Sequence, residues 1–595
     1  MVTIDDNHNN NSRLLVTTAL EETWDSTYPM LFLSEGCLKY SRKNIWQNLN
    51  FSVFKGIWSD NDERRQDNFY LEKIYRILLP RIANSLNKIH QEKYSTRYWE
   101  ILIGYWLKVF LSLYFEKWKT LKVVESLYSN LKINILLNNE ISLNSNDCLE
   151  FINRSDTDEW NQLLYADIAK KWTNIKINPL PYSQSTKVRR KFKYKLSRQV
   201  ILRFILLNLS KIRDFYFSHY SSPRFFLYYS YINFKFLIKL GQKVDINLVP
   251  YLSFQTPYSV TNPQLREWRF NEESDDEFLK AICEIIPRVI PNCYLEGYNT
   301  LANFKTYWPN NPKVIMTANA FAYDDVWGSW AAHKTEKGSK LVLAQHGGTY
   351  GASEFMDLQE YEISISDKYI TWGWNFTESK KIIKGPAVKL LNISKSAKKV
   401  GEDCVLVTQS ERRYCWGMSQ QPLTSQMPKY IGDQIKFVDS LSQQIQQKLK
   451  IRLYFKDFGW EIKNRFQDKF PNITTVDTNV KIGKLLSQSK LCVCNYNGTT
   501  FLENFVKDIP TTMYWDPEIF ALNNESKPYY DLLSKVGILH KTPESCAKFI
   551  NSIWNDVPDW WNSKDVKEAR LIFSDHFANI GNNPVLQLKN IFTDW

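Results

Sequence analysis

No stretch of this 595-residue chain reaches the roughly 18 uncharged apolar residues that a membrane-spanning helix needs. The nearest approach, 101–115, is too short and carries Lys108. The opening MVTIDDNHNNNSRLL is polar and acidic where a secretory signal would be basic and then apolar, so a cytoplasmic, non-spanning protein is expected. Internal repeats and long low-complexity tracts are missing too. The nine cysteines are scattered, and the one close pair, Cys492-Val-Cys494, has no matching His/Cys pair near it. Zinc ligation normally takes a second paired set, so no metal and no cofactor are expected, and buried thiols in a reducing compartment are the plainer reading.

Apolar material is ample, at 44% hydrophobic and 15% aromatic residues. A single core rarely grows past about 250–300 residues, so more than one domain is expected. The net charge of +13 is unevenly spread. Lys187, Arg189, Arg190, Lys191, Lys193, Lys195 and Arg198 fall in an acid-free run, 187–198, that also holds Phe192 and Tyr194. Such a run suits a solvated helix face, peripheral contact with an anionic membrane, or nucleic acid. No nucleic-acid motif accompanies it, so nucleic acid is not expected as a partner.

Two rhythms divide the chain. Strand-like runs at 14–18 and 30–33 precede a helical stretch over 68–120, where Leu71, Ile74, Leu78 and Ile82 keep the 3.6-residue spacing. Helices are also expected over 158–172, 198–217 and 275–286. From about 310 strands alternate with helices: strands at 313–317, 341–345 and 369–372, a linker at 391–400, then strands at 404–408, 451–455, 473–476, 491–495 and 511–514. That alternation predicts parallel sheets covered on both faces. The expected fold is α/β, with two Rossmann-like doubly wound domains, 1–390 and 401–595, facing each other across a cleft.

In such sheets ligands bind at the carboxyl ends of the strands, and several strands here end in residues suited to chemistry. Gln345-His346-Gly347-Gly348 follows one: His346 would enter the crevice as acid, base or phosphate partner, or would simply satisfy loop backbone groups. Asn495-Tyr496-Asn497-Gly498-Thr499-Thr500 follows another and opens a helix whose free amides suit phosphate oxygens, with Glu503 one turn in. Ordinary capping by Thr499 or Thr500, closed by Glu503, is the bland alternative. Glu21 and Glu22, after the first strand, read as carboxylates sharing a proton or as helix-start acids. Arg412, Arg413 and Lys456, at two later strand ends, read as phosphate cations or surface charges.

With these stretches quoted, the chain resembles two-domain GT-B glycosyltransferases, above all the bacterial capsule, teichoic-acid and surface-polysaccharide transferases. The likeness runs through 341–351, the Gly385-Pro386 strand exit and 491–511. The motifs TTALEETW, RYWEILIG, QHGGTYG and NGTTFLE resemble more closely a family of bacterial transferases of that kind. The resemblance implies a large helical elaboration of the N-terminal half. It also implies a nucleotide-sugar donor and an oligosaccharide or lipid-linked acceptor, with metal-independent transfer. It puts His346 in the active site and donor phosphate on Gly498-Thr499-Thr500, with Glu503 nearby and Glu21 or Glu22 as the base. Tyr454-Phe455-Lys456-Asp457 stands where relatives often carry an Arg-x-His-Pro element, which leaves the donor base open. The rival is a non-catalytic carbohydrate- or nucleotide-binding protein that kept the cleft.

Overall fold

The computed structural model describes residues 12–137, 142–181, 224–246, 253–270, 274–306, 308–376, 379–393 and 401–595. The basic run 187–198, the helix expected over 198–217 and most of the expected linker lie outside them.

Three parallel sheets organise the described residues. The first holds β1 (Arg13–Val16), β2 (Met30–Phe32), β3 (Phe51–Val53), β4 (Leu131–Leu137) and β5 (Lys176–Pro181), in the order β3-β2-β1-β4-β5. The second holds β6 (Phe225–Leu227), β7 (Val314–Thr317), β8 (Lys340–Ala344), β9 (Lys368–Thr371) and β10 (Ile382–Lys384), in the order β10-β9-β8-β7-β6. The third holds β11 (Asp403–Val407), β12 (Leu449–Arg452), β13 (Thr474–Val476), β14 (Ser489–Cys494), β15 (Thr511–Tyr514) and β16 (Leu539–His540), in the order β13-β12-β11-β14-β15-β16.

The parallel α/β class is as expected, and the N-terminal half carries two sheets where one was foreseen. In the first sheet β1 and β2 fall on the expected runs 14–18 and 30–33, while its other strands escape a sequence reading for physical reasons. β3 is three residues long, and β5 carries Pro179 and Pro181, which a strand tolerates because it lies at the sheet edge. The central strands of the third sheet, β11 and β14, are buried on both faces and read as unbroken apolar runs.

The helical stretch is two helices, Asn61–His90 and Thr96–Leu127. Gln91 ends the first in the left-handed region at φ 57°, and the Ser95 hydroxyl caps the second. The second helix is buried almost all round, from Tyr98 to Phe115, and packs on the helices Asp325–Glu336 and Asp357–Ile365 of the second sheet. The apolar run at 101–115 is therefore an internal pillar, with Lys108 paired to Glu72. Among the described residues no helix is long and apolar enough to cross a membrane.

The chain end returns to the second sheet. Phe592 stacks on Phe225 with ring centroids 6.1 Å apart, and the Lys368 ammonium donates to the Ile591 carbonyl at 2.9 Å. In the third sheet β12 and β13 lie on one side of β11, and β14, β15 and β16 on the other. Between β11 and β14 the winding reverses, and it is above the carboxyl ends at such a reversal that parallel sheets bind ligands.

Candidate functional site

The loops leaving the second and third sheets meet. The Gly348 amide donates to the Thr499 hydroxyl at 3.1 Å. A Cβ on Gly348 would lie 2.6 Å from the Gly498 carbonyl carbon, so only glycine allows this approach. The adjoining segment continues the docking: the Glu354 amide donates to the Ala521 carbonyl at 2.9 Å, and the Gln421 amide to the Ser353 hydroxyl at 2.8 Å. Gly351 sits at φ +72° under Trp374, where any side chain would run into the indole.

Thr499–Lys507 is a helix whose N-cap is Gly498, with no side-chain cap. The capping-box alternative is thereby corrected. The Thr499 hydroxyl is spent on Gly348, and the Thr500 hydroxyl bonds the Tyr496 phenol at 2.7 Å. The first amides of the helix thus keep their partial positive charge. Behind them, Asn495 accepts from Tyr430 at 2.8 Å and Asn497 from Tyr530 at 2.9 Å. Both asparagine Nδ2 atoms are buried without a partner among the described residues.

Lys389, on the loop after β10, completes this corner. Its ammonium donates to the His346 carbonyl at 3.4 Å and lies 5.3 Å from the centre of the Tyr231 ring. Burial pulls its pKa below the usual lysine range, while the Glu503 carboxylate opposes that. Burial in turn raises Glu503, against Lys507 and Lys389. A cation, an uncapped helix start and a half-buried acid therefore converge on one small space.

His346 belongs to a buried hydrogen-bond chain. Its Nε2 lies 3.1 Å from the Tyr350 hydroxyl; that hydroxyl donates to Glu362 at 2.6 Å, and Tyr369 donates to the other carboxylate oxygen at 3.1 Å. Burial, helped by Lys389, pushes the imidazole down to about 4, and burial lifts the Glu362 carboxyl well above its usual range. Burial thus favours the neutral ring. Gln345 is scaffold. Its side chain donates to the Gly347 carbonyl and accepts from the Trp372 amide and the Trp374 indole, each at 2.8 Å.

The other expected cations are already taken. Arg412 binds Asp156 at 2.6 Å and the Ile152 carbonyl at 3.1 Å, and Lys456 binds Asp156 at 2.7 Å. Arg413 binds Asp158 at 2.8 Å and the Gly36 carbonyl at 2.7 Å, and Tyr414 also donates to Asp158. These residues fasten the third sheet's loops to the first-sheet region. Glu21 is held by Arg42 through two 2.6 Å bonds, which lower its pKa, and Glu22 is exposed. The shared-proton expectation for this pair fails, because an arginine rather than its neighbour faces Glu21.

The model of the LIC12162 family transferase matches residues 13–592. This chain belongs to that family. No curated protein matches the chain. Among solved structures, TarM aligns at 14% identity over 47% of this chain and 55% of TarM, with a TM-score of 0.30. MurG of Acinetobacter baumannii aligns at 9% identity over 63% of this chain and 100% of MurG, at 0.33. The wall teichoic acid polymerase TagF aligns at 10% identity over 66% of this chain and 96% of TagF, at 0.28.

In this LIC12162 family transferase two residues that sequence reasoning passed over lie beside these loops. Lys389 follows Gly385-Pro386, and a lysine near a strand exit is visible in the sequence only as one of many. Glu411 follows β11, and burial pushes its carboxyl up to about 8. Its sequence neighbourhood drew attention to Arg412 and Arg413 instead. Among the described residues no group of three or more His, Cys, Asp and Glu could hold a metal.

Proposed function

We propose that this transferase moves a sugar, or a related group, from a nucleotide-activated donor to a cell-surface polysaccharide or lipid-linked acceptor. The arrangement is GT-B-like, with the cleft between the second and third sheets. The approach of Gly348 to Gly498 and Thr499 carries the reading, because it brings the His346 loop and the uncapped helix start to one place. The donor diphosphate rests on the amides from Thr499 to Phe501 and against Lys389, in place of Arg412, Arg413 and Lys456. Donors fixed in advance at a developing phosphate charge need no reorganisation during reaction. Neutral His346 lines the cleft as a hydrogen-bonding group, and Glu503 accepts from a sugar or ribose hydroxyl. Holding donor and acceptor in line removes much of the entropic barrier. The chemistry proceeds without a bound metal, at the cytoplasmic membrane face.

The test is turnover. Purified protein offered UDP-, GDP-, CDP- and dTDP-linked sugars releases nucleotide from one of them. Saturable binding with no release from any donor would favour the non-catalytic binding protein instead.

A further inference from the structure

The crevice between β11 and β14 has a second wall that the phosphate site leaves unused. Glu411 stands one loop residue beyond Ser410 at the carboxyl end of β11, and its backbone is pinned on both sides. The Trp460 indole donates to its carbonyl at 2.7 Å, and the Ser410 hydroxyl donates to the Asp457 carbonyl at 2.8 Å. Tyr430 floors the space. Its hydroxyl accepts from the Gln409 amide at 3.1 Å and donates to Asn495 at 2.8 Å, tying the Glu411 loop to the turn that opens the Thr499 helix.

Aromatic faces rim the same space. Tyr454 and Phe455, after β12, are 38% and 71% exposed, and Tyr323, after β7 of the facing sheet, is 50% exposed. Tyr323 and Tyr454 both lie within electrostatic reach of Arg412, and Tyr454 within reach of Glu411. Large exposed aromatic surfaces beside a carboxyl are what a sugar ring needs: faces to lie against and an acceptor for its hydroxyls. The groups facing Glu411 are Arg412, Asp156, Trp416, Tyr430 and Tyr454. Arg412 gives its guanidinium to Asp156 and, with Trp416, only partly offsets the burial of Glu411, which forms no salt bridge among the described residues.

We propose that Glu411 takes the proton from the attacking hydroxyl of the acceptor, and that Tyr323, Tyr454 and Phe455 form the apolar faces of the acceptor-sugar subsite. This rests on the glycosyl-transfer reading and goes beyond it by naming the base and the acceptor wall. The acceptor oxygen forms a bond to the donor's anomeric carbon. The bond from that carbon to the phosphate oxygen breaks, its electron pair leaving with the nucleoside diphosphate. The hydroxyl proton passes to the Glu411 carboxylate. A base works best with a pKa near the operating pH, and burial places this one at about 8.

The experiment compares wild type, Glu411→Gln and Tyr454→Ala in nucleotide release from the same donor panel, with p-nitrophenyl glycosides as acceptors. In the wild type, kcat/KM rises with pH and levels off above about 8, because the carboxylate form is the active one. Glu411→Gln lowers kcat by roughly a hundredfold or more and leaves nucleoside diphosphate binding intact. Tyr454→Ala raises the acceptor KM and spares the donor KM. Should Glu411→Gln fail to fold, Glu411→Asp decides, since it keeps the carboxylate but draws it back from the acceptor oxygen: kcat falls with nucleoside diphosphate binding retained, and an unchanged kcat overturns the assignment. A variant with wild-type kcat and pH profile overturns it while leaving glycosyl transfer standing. A wild type that turns over no donor sinks both.

Discussion

The Gly348 amide donates to the Thr499 hydroxyl at 3.1 Å, and through that contact the loop after β8 grips the helix that follows β14. Gly348→Ala therefore acts on both sheets at once. Its methyl meets the Gly498 main chain, which has no flexible side chain to move aside. Overpacking of this kind costs about 1–3 kcal/mol. The expected outcome is a lower melting temperature together with a loss of nucleotide binding. A variant that melts and binds like wild type would show that the two loops can separate freely.

Lys389 is the cation that the uncapped helix start lacks. Lys389→Met keeps most of the side chain's volume and removes its charge. A hydrogen bond to a charged group contributes about 1.5–3 kcal/mol, so binding of the donor weakens roughly ten- to a hundredfold. Arg412→Met, by contrast, changes donor affinity little, because that guanidinium serves Asp156. Donor KM measured for the two variants checks the contrast.

How much of this was legible beforehand follows from what each signal depends on. The third sheet was readable because strands such as β14, buried on both faces, show as apolar runs, and because Asn497-Gly498 marks the turn after it. Of the first sheet only β1 and β2 were, since β3 is three residues long and β5 is rich in proline. That the His346 loop and the Thr499 turn each follow a strand could be read from the sequence alone. Which cations stay available could not, because Asp156 and Asp158 claim Arg412, Arg413 and Lys456 from a distant part of the chain. Lys389 and Glu411 become visible only when those partners are placed.

Asp158 is a junction, binding Lys39 at 2.9 Å and Arg413 at 2.8 Å and accepting from Tyr414. Asp158→Ala leaves the buried Arg413 charge without its carboxylate, at a cost of about 3–5 kcal/mol. Removing the arginine as well, in Asp158→Ala with Arg413→Met, recovers part of that loss. Thermal melting of the single and double variants tests the coupling, and additive losses would refute it.

His90 is held neutral by burial, which pushes it down to about 4, although it bonds the Tyr294 carbonyl at 3.1 Å. In the unfolded chain it titrates near 6.5. Its depressed folded pKa means that the unfolded state binds the extra proton first. Wild-type stability from this group is therefore complete above about pH 6.5 and is lost as pH falls toward about 4. The stability cost of His90→Gln, measured by denaturant titration at pH 7.5, shrinks steadily at lower pH. A cost that grows on acidification would contradict the sign.

The most direct measurement of the central claim is calorimetric titration of the wild type and Lys389→Met with UDP, GDP, CDP and dTDP. The account predicts that one nucleotide binds the wild type tightly enough to titrate, and that Lys389→Met weakens it by roughly tenfold or more. Binding that is indifferent to Lys389→Met and Gly348→Ala, or no binding of any nucleotide at millimolar concentration, would contradict a diphosphate held where the two loops meet.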